Sequence, residues 1–182
     1  MKYRVVRKQE GYDECVVCGH KNPFSLQADF YELENNELVS KFHTMDEHQS
    51  YPGRTHGGLI GAILDETIGR CIKCYEPEAW GVTVEMNVKY KKPVPLNETL
   101  MCVGRITEIR SRMFRGTGEL YLNNGEVAAI GEMVYVKMTP ERITDVPLTE
   151  ELYHLTPDAE PLEFVELYGD DPANVPFKVE KK

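Results

Sequence analysis

The feature that most limits how this chain can fold is its one long stretch of helical period. Residues 56–75, beginning "HGGLIGAILDETIG", carry that period and stop before Pro77, and strand patterns stand on both sides. Before it, "LQADFYELENNELVSKFHT" reads as two strands turning at Asn35 and Asn36. After it, "WGVTVEMNVKYKKP" alternates Val82, Val84, Met86, Val88 and Tyr90 with Thr83, Glu85, Asn87 and Lys89. Two more strands follow in "ETLMCVGRITEI" and "RMFRGTGELYLN", and Asn124-Gly125 predicts a type I′ hairpin into "EVAAIGEMVYVKM". Two strands, one helix and four strands predict an α+β fold, an antiparallel sheet of about six strands against one long helix. Three regions are expected: a turn-rich lead-in over 1–24, the domain over 25–140, and an acidic, proline-containing arm over 141–182. Within the arm, "LTEELYHL" reads as a short helix.

The helix carries Gly57, Gly58, Gly61 and Gly69, although an interior glycine costs about 1 kcal/mol relative to alanine. On a helical wheel Leu59, Ile60, Ile63, Leu64, Ile68, Cys71 and Cys74 form an apolar arc, and Glu66, Arg70 and Lys73 a charged one. Glu66 and Arg70, at i and i+4, read as an ion pair on a solvated face. Asp65 belongs to neither arc and shares its stripe with Gly58, Gly61 and Gly69. A carboxylate so placed either bonds a neighbouring backbone or has a chemical task, and glycines beside it admit another backbone or a ligand.

The helix start supplies a second component. Thr55 or His56 is the expected cap, and the N–H groups of Gly57 and Gly58 carry the partial positive charge that suits a developing oxyanion. Acyl transfer needs such donors together with a carboxylate base or nucleophile. Gly57 and Asp65 are eight residues apart, about 12 Å along a helix axis, too far for both to touch one carbonyl. If both act, one comes from a second copy, which predicts a homodimer with shared sites.

The formal charge of −9 over 182 residues argues against a general nucleic-acid binder. No apolar run approaches the ~18 residues of a membrane span. Neither an apolar leader nor an even number of cysteines is seen, since the cysteines number five, so reduced thiols and a cytoplasmic location are expected.

"HGGLIGAILDE", preceded by "DEHQSYPGRT", resembles the hotdog-fold acyl-CoA thioesterases of the phenylacetate-pathway type. "WGVTVEMNVKYKKPVP" and "CVVCGHKNPFSL" fit the same pattern, so the likeness covers roughly residues 15–138. It implies a sheet wrapped around the central helix, a homodimer or dimer of dimers, and hydrolysis of an acyl-CoA thioester to a free acid and CoA. It maps the oxyanion donor onto the Gly57 N–H, with Gly58 close by, and the base or nucleophile onto Asp65 across the interface. His56 would stand near the thioester carbonyl, and Thr83 would orient the water. No metal or cofactor is implied. In the loop before the HGG, Gln49 and Ser50 are both candidates for a site-facing polar residue. Arg54 stands where the family more often has an apolar residue. Either it meets a charged acyl group or the CoA phosphates, or it is an exposed loop arginine.

Other groupings remain open. Cys15–Val–Val–Cys18 and Cys71–Ile–Lys–Cys74 formally match a four-thiolate zinc site or a redox pair, though the second pair falls on the apolar arc. His48 is either near the site or a loop-holding residue. Lys89, Lys91 and Lys92 with Arg110, Arg112 and Arg115 are candidates for gripping CoA phosphates or are solvated charges. Two alternatives to hydrolysis are a hotdog 3-hydroxyacyl thioester dehydratase, which would favour a catalytic histidine, and a non-catalytic acyl-CoA binder.

Overall fold

The computed structural model describes residues 1–147, 149, 152–158 and 162–167. Ten strands are present among them: β1 (Lys2–Lys8), β2 (Gly11–Tyr12), β3 (Asp29–Leu33), β4 (Leu38–His43), β5 (Trp80–Tyr90), β6 (Thr99–Ile109), β7 (Met113–Tyr121), β8 (Val127–Met138), β9 (Tyr153–His154) and β10 (Phe164–Glu166). The long helix α1 spans Gly57–Arg70, and a 3-10 turn over Cys71–Cys74 continues it toward Pro77. The main sheet runs β10-β1-β3-β4-β6-β7-β8-β5, antiparallel throughout. α1 packs across β4 to β8, which is the expected hotdog arrangement.

The six anticipated strands are β3 to β8. The lead-in adds β1 at their outer edge and the arm adds β10 beyond it. Of "LTEELYHL", residues 148, 150 and 151 lie outside the described residues. Tyr153 and His154 within it form β9, paired with β2, rather than a helix. The β7–β8 hairpin turns at Asn124-Gly125 as expected, but only Gly125 takes a left-handed φ, +84°. The Leu122 N–H reaches Glu126 O across a three-residue loop, so the turn is not type I′. Next to the loop the ladder carries a bulge, with Ala128 of β8 as the extra residue between the Tyr121–Val127 and Leu120–Ala129 pairs.

Glycines form the floor on which the helix sits. A Cβ on Gly116 or Gly118 of β7, or on Gly131 of β8, would stand 2.5, 2.8 or 3.1 Å from the side chain of Ile68. One on Gly104 of β6 would stand 2.9 Å from the Thr67 carbonyl oxygen. Ile63, Leu64 and Ile68 are fully buried there, and Phe114 stacks on Tyr135 with ring centroids 4.7 Å apart. Thr67 also crosses to the sheet, its hydroxyl 2.7 Å from that of Ser40.

Gly116→Ala is expected to cost about 1–3 kcal/mol by overpacking, because its Cβ also meets the fixed Arg105 carbonyl at 2.7 Å. Gly131→Ala should cost distinctly less, since its close contacts are the flexible ends of Ile68 and Met133 and it meets Leu64 Cβ only at an ordinary 3.6 Å. Urea unfolding of the two variants checks this, and equal midpoints would contradict the glycine floor.

Candidate functional site

Asp65 sits in the middle of α1 and is held from two neighbouring strands. Thr83 on β5 donates its hydroxyl to Asp65 Oδ1 at 2.8 Å, and Tyr135 on β8 donates to the Asp65 carbonyl oxygen at 2.9 Å. Thr83 and Tyr135 are directly paired across the two strands, so the register brings both hydroxyls to the same helical residue. A register shift between Thr83 and Glu85 breaks the simple alternation of β5. Strict period two would put Thr83 on the face opposite Met86 and Tyr90, whereas the bulge turns all three toward α1. Met86 lies over Gly61, and the Tyr90 hydroxyl donates to the Gly57 carbonyl at 2.8 Å.

Of the glycines that share the Asp65 stripe, Gly61 faces β5 and Gly69 faces β8, while Gly58 meets only the His56 ring. A Cβ on Gly69 would come within 2.9 Å of the Tyr135 ring, which makes glycine a requirement there. At Gly57 and Gly61 a Cβ would make only ordinary contacts, at 3.6 Å or more.

Burial pushes the Asp65 carboxyl above the usual aspartate range, and the hydrogen bond donated by the Thr83 hydroxyl offsets part of the rise. The carboxylate opens on a cleft of about 300 Å³ whose wall includes Cys15, Glu66, Arg70, Lys73 and Trp80.

At the helix start His56 is the cap, with its Nδ1 accepting the Gly58 N–H at 2.9 Å. That bond occupies Gly58 and fixes the neutral imidazole proton on Nε2. The Gly57 N–H has no partner among the described residues. Within one chain this donor and Asp65 remain separated by two turns of helix.

The remaining candidates are placed less centrally. Gln49 folds into its own loop, Oε1 accepting the Gly53 N–H at 2.8 Å, and Ser50 and Arg54 are exposed on the same loop. Buried His48 holds this loop, with Nδ1 accepting the Met45 N–H and Nε2 bonding the Phe24 carbonyl at 3.0 Å. Lys89 and Lys91 are exposed at the end of β5 near Gly57, and Lys92 pairs with Glu126. Arg112 lies at the opposite end of β5, since its carbonyl accepts from Lys137, the partner of Gly81. Arg110 and Arg115 pair with Glu108. The two basic groups are thus not gathered within one chain.

The Glu66–Arg70 pair forms at 2.7 Å but does not lie on a solvated face. The lead-in covers it, leaving the Arg70 side chain 10% exposed, with Nη1 donating to the Glu10 carbonyl and Nη2 to Cys18 Sγ. The four CxxC sulfurs do not form one cage among the described residues. Cys15 and Cys18 meet Glu66, while Cys71 Sγ turns to the Gly104 carbonyl.

Residues 52–129 match the family model described as the thioesterase superfamily. The mouse protein named acyl-coenzyme A thioesterase THEM4 is 29% identical over 123 residues, covering 67% of this chain and 50% of that protein. The chain thus spans about half the length of that curated relative. The Escherichia coli PaaI protein of the phenylacetic acid degradation operon superposes with a TM-score of 0.57 at 12% identity, over 62% of this chain and 80% of its own. A Streptococcus mutans protein bound to acetyl CoA gives 0.53 at 18% identity, over 57% and 82%. Both likenesses concern the fold. No helix among the described residues is long and apolar enough to cross a membrane.

Titration of the Asp65 carboxyl by carbon NMR should give a midpoint above the ~4 of an unperturbed aspartate. In Thr83→Val, which removes a donor to the charged form, the midpoint should move higher still. A fall, or no change, would show that Thr83 does not support the carboxylate.

Proposed function

We propose that this chain, whose residues 52–129 match the thioesterase-superfamily model, hydrolyses an acyl-CoA thioester to a free acid and CoA. The observation that carries the proposal is Asp65, a half-buried carboxylate with raised basicity, held by Thr83 at one oxygen and facing a cleft. Its Oδ2 takes a proton from water as that water attacks the thioester carbonyl. Thr83 is a positioning residue in this reading, since its hydroxyl proton is committed to Oδ1. The Gly57 N–H of a second copy stabilises the oxyanion, with His56 Nε2–H beside it.

The edge of the sheet supports the paired assembly. β5 is an edge strand of 11 residues, and Val84, Met86 and Tyr90 on it are all more than half exposed. A long edge strand with such residues suits pairing with another chain. Two copies of β5 meeting there would bring each Gly57 toward the other's Asp65. Lys89 and Lys91, at the Gly57 end of β5, are then placed for CoA phosphates, with Arg54, Gln49 and Ser50 on the adjoining loop. A reducing compartment such as the cytoplasm suits the five free thiols.

Thiol release from short, long, aromatic and dicarboxylic acyl-CoAs tests the proposal. Asp65→Asn should lower kcat by about 10²–10⁴, the usual worth of a general base. Stability should be unchanged or higher. A carboxyl whose folded pKa is raised destabilises the fold as pH rises from the unfolded to the folded value, and asparagine removes that charge. Binding of acyl-CoA without turnover would favour a non-catalytic binder, and equal turnover in both proteins would exclude Asp65 as the base.

A further inference from the structure

The lead-in places two sulfurs against the cleft that the hydrolytic mechanism does not use. Cys15 is half-buried and lines the Asp65 cleft, while Cys18 is 1% exposed behind it. Their Sγ atoms and a carboxylate oxygen of Glu66 all lie within 4.8 Å of one another. Cys15 Sγ accepts the N–H groups of Val17 at 3.3 Å and Cys18 at 3.4 Å, and the Arg70 guanidinium reaches Cys18 Sγ at 3.5 Å. One sulfur thus faces the cleft with donors that stabilise its anion, and the second waits behind it within reach.

We propose that Cys15 and Cys18 are a peroxide-reactive dithiol, Cys15 the attacking sulfur and Cys18 the resolving one, which closes to a reversible disulfide in the cleft wall. The Cys15 thiolate attacks one oxygen of a hydroperoxide; an S–O bond forms, the O–O bond breaks, and the departing hydroxide or alkoxide takes a proton. Sulfur is oxidised to the sulfenic acid and the peroxide is reduced. Cys18 then gives its proton to the sulfenic hydroxyl and displaces it as water, so that the S–S bond forms as the S–O bond breaks. The asymmetry of the pair agrees with these roles: hydrogen bonds from Cys18 and the local backbone bring the Cys15 thiol down to about 6, while the same contact and burial push Cys18 up.

A metal ion is the competing occupant of this cluster. It would find three donors, two of them already bonded to the fixed positive charge of Arg70. The disulfide has a built-in reporter instead. The Tyr12 N–H and carbonyl both contact Cys18 Sγ, the Tyr12 ring packs on Tyr153 at 4.8 Å, and Tyr153 packs on Trp80 at 5.6 Å. Trp80 is the chain's single tryptophan.

The test treats the reduced full chain with hydrogen peroxide, alkylates it and measures intact mass, tryptophan emission and metal content. Wild type should become lighter by two hydrogens, lose alkylation at Cys15 and Cys18, and change its Trp80 emission, all reversed by dithiothreitol. Cys18→Ser should instead hold Cys15 as a sulfenic acid trapped by dimedone, and Cys15→Ser should show neither product. The proposal fails if Cys15 remains fully alkylated in treated wild type. It also fails if the two-hydrogen loss persists in Cys15→Ser, or if the reduced protein carries a stoichiometric metal that peroxide releases.

Discussion

The seating of Ile68 on a floor of glycines is the contact on which the rest of this structure depends. Four sheet positions, Gly104, Gly116, Gly118 and Gly131, lack the side chains that would hold α1 away. The helix backbone therefore comes close enough for residues of β5 and β8 to bond it directly. Tyr135 reaches the Asp65 carbonyl past Gly69, and Tyr90 reaches the Gly57 carbonyl. Close packing of this kind leaves little freedom for rotation of α1, because the interior has few voids into which the side chains could move. The height and rotation of the helix set which residue faces the cleft, and that residue is Asp65.

From this geometry the electrostatics follow. A half-buried carboxylate, with Thr83 as its side-chain donor, is more basic than one in water but still held in a fixed direction. The other half of the proposed chemistry sits at the start of the same helix. The His56 cap occupies Gly58, and the Gly57 N–H has no partner among the described residues. One rigid element thus carries a base and an oxyanion donor about 12 Å apart, a distance set by helical rise. Two copies related by a twofold axis would solve the spacing twice, because such an interface is self-complementary.

Much of this was legible in the residues because it rests on local period. The long helix, the flanking strands and the oddness of Asp65 all follow from spacing along the chain. What escaped reading depends on pairing between distant segments. The bulge after Thr83 reverses the phase of β5, so alternation assigned Thr83 and Met86 to opposite faces. Tyr135 carries no signal of its own until register sets it opposite Thr83. Glu66 and Arg70 have the spacing of a solvated pair, yet the lead-in, which lacks clear period, folds over them and makes them part of the cleft. Gln49 shows the reverse case: its polar side chain, a candidate for the site, is taken up by the Gly53 N–H of its own loop.

Subunit mixing tests most directly whether two chains complete the proposed site. Asp65→Asn lacks the base, and Gly57→Pro removes the N–H at the first helical position, where proline is tolerated and a Cβ meets Tyr90 only at an ordinary 3.6 Å. Each variant alone should have almost no thioesterase activity. When the two are mixed under conditions that exchange subunits, half of the dimers are mixed and each has one intact site of two. Activity should then recover to about a quarter of wild type. Mixed dimers that form, as shown by mass, but recover nothing would contradict a shared site.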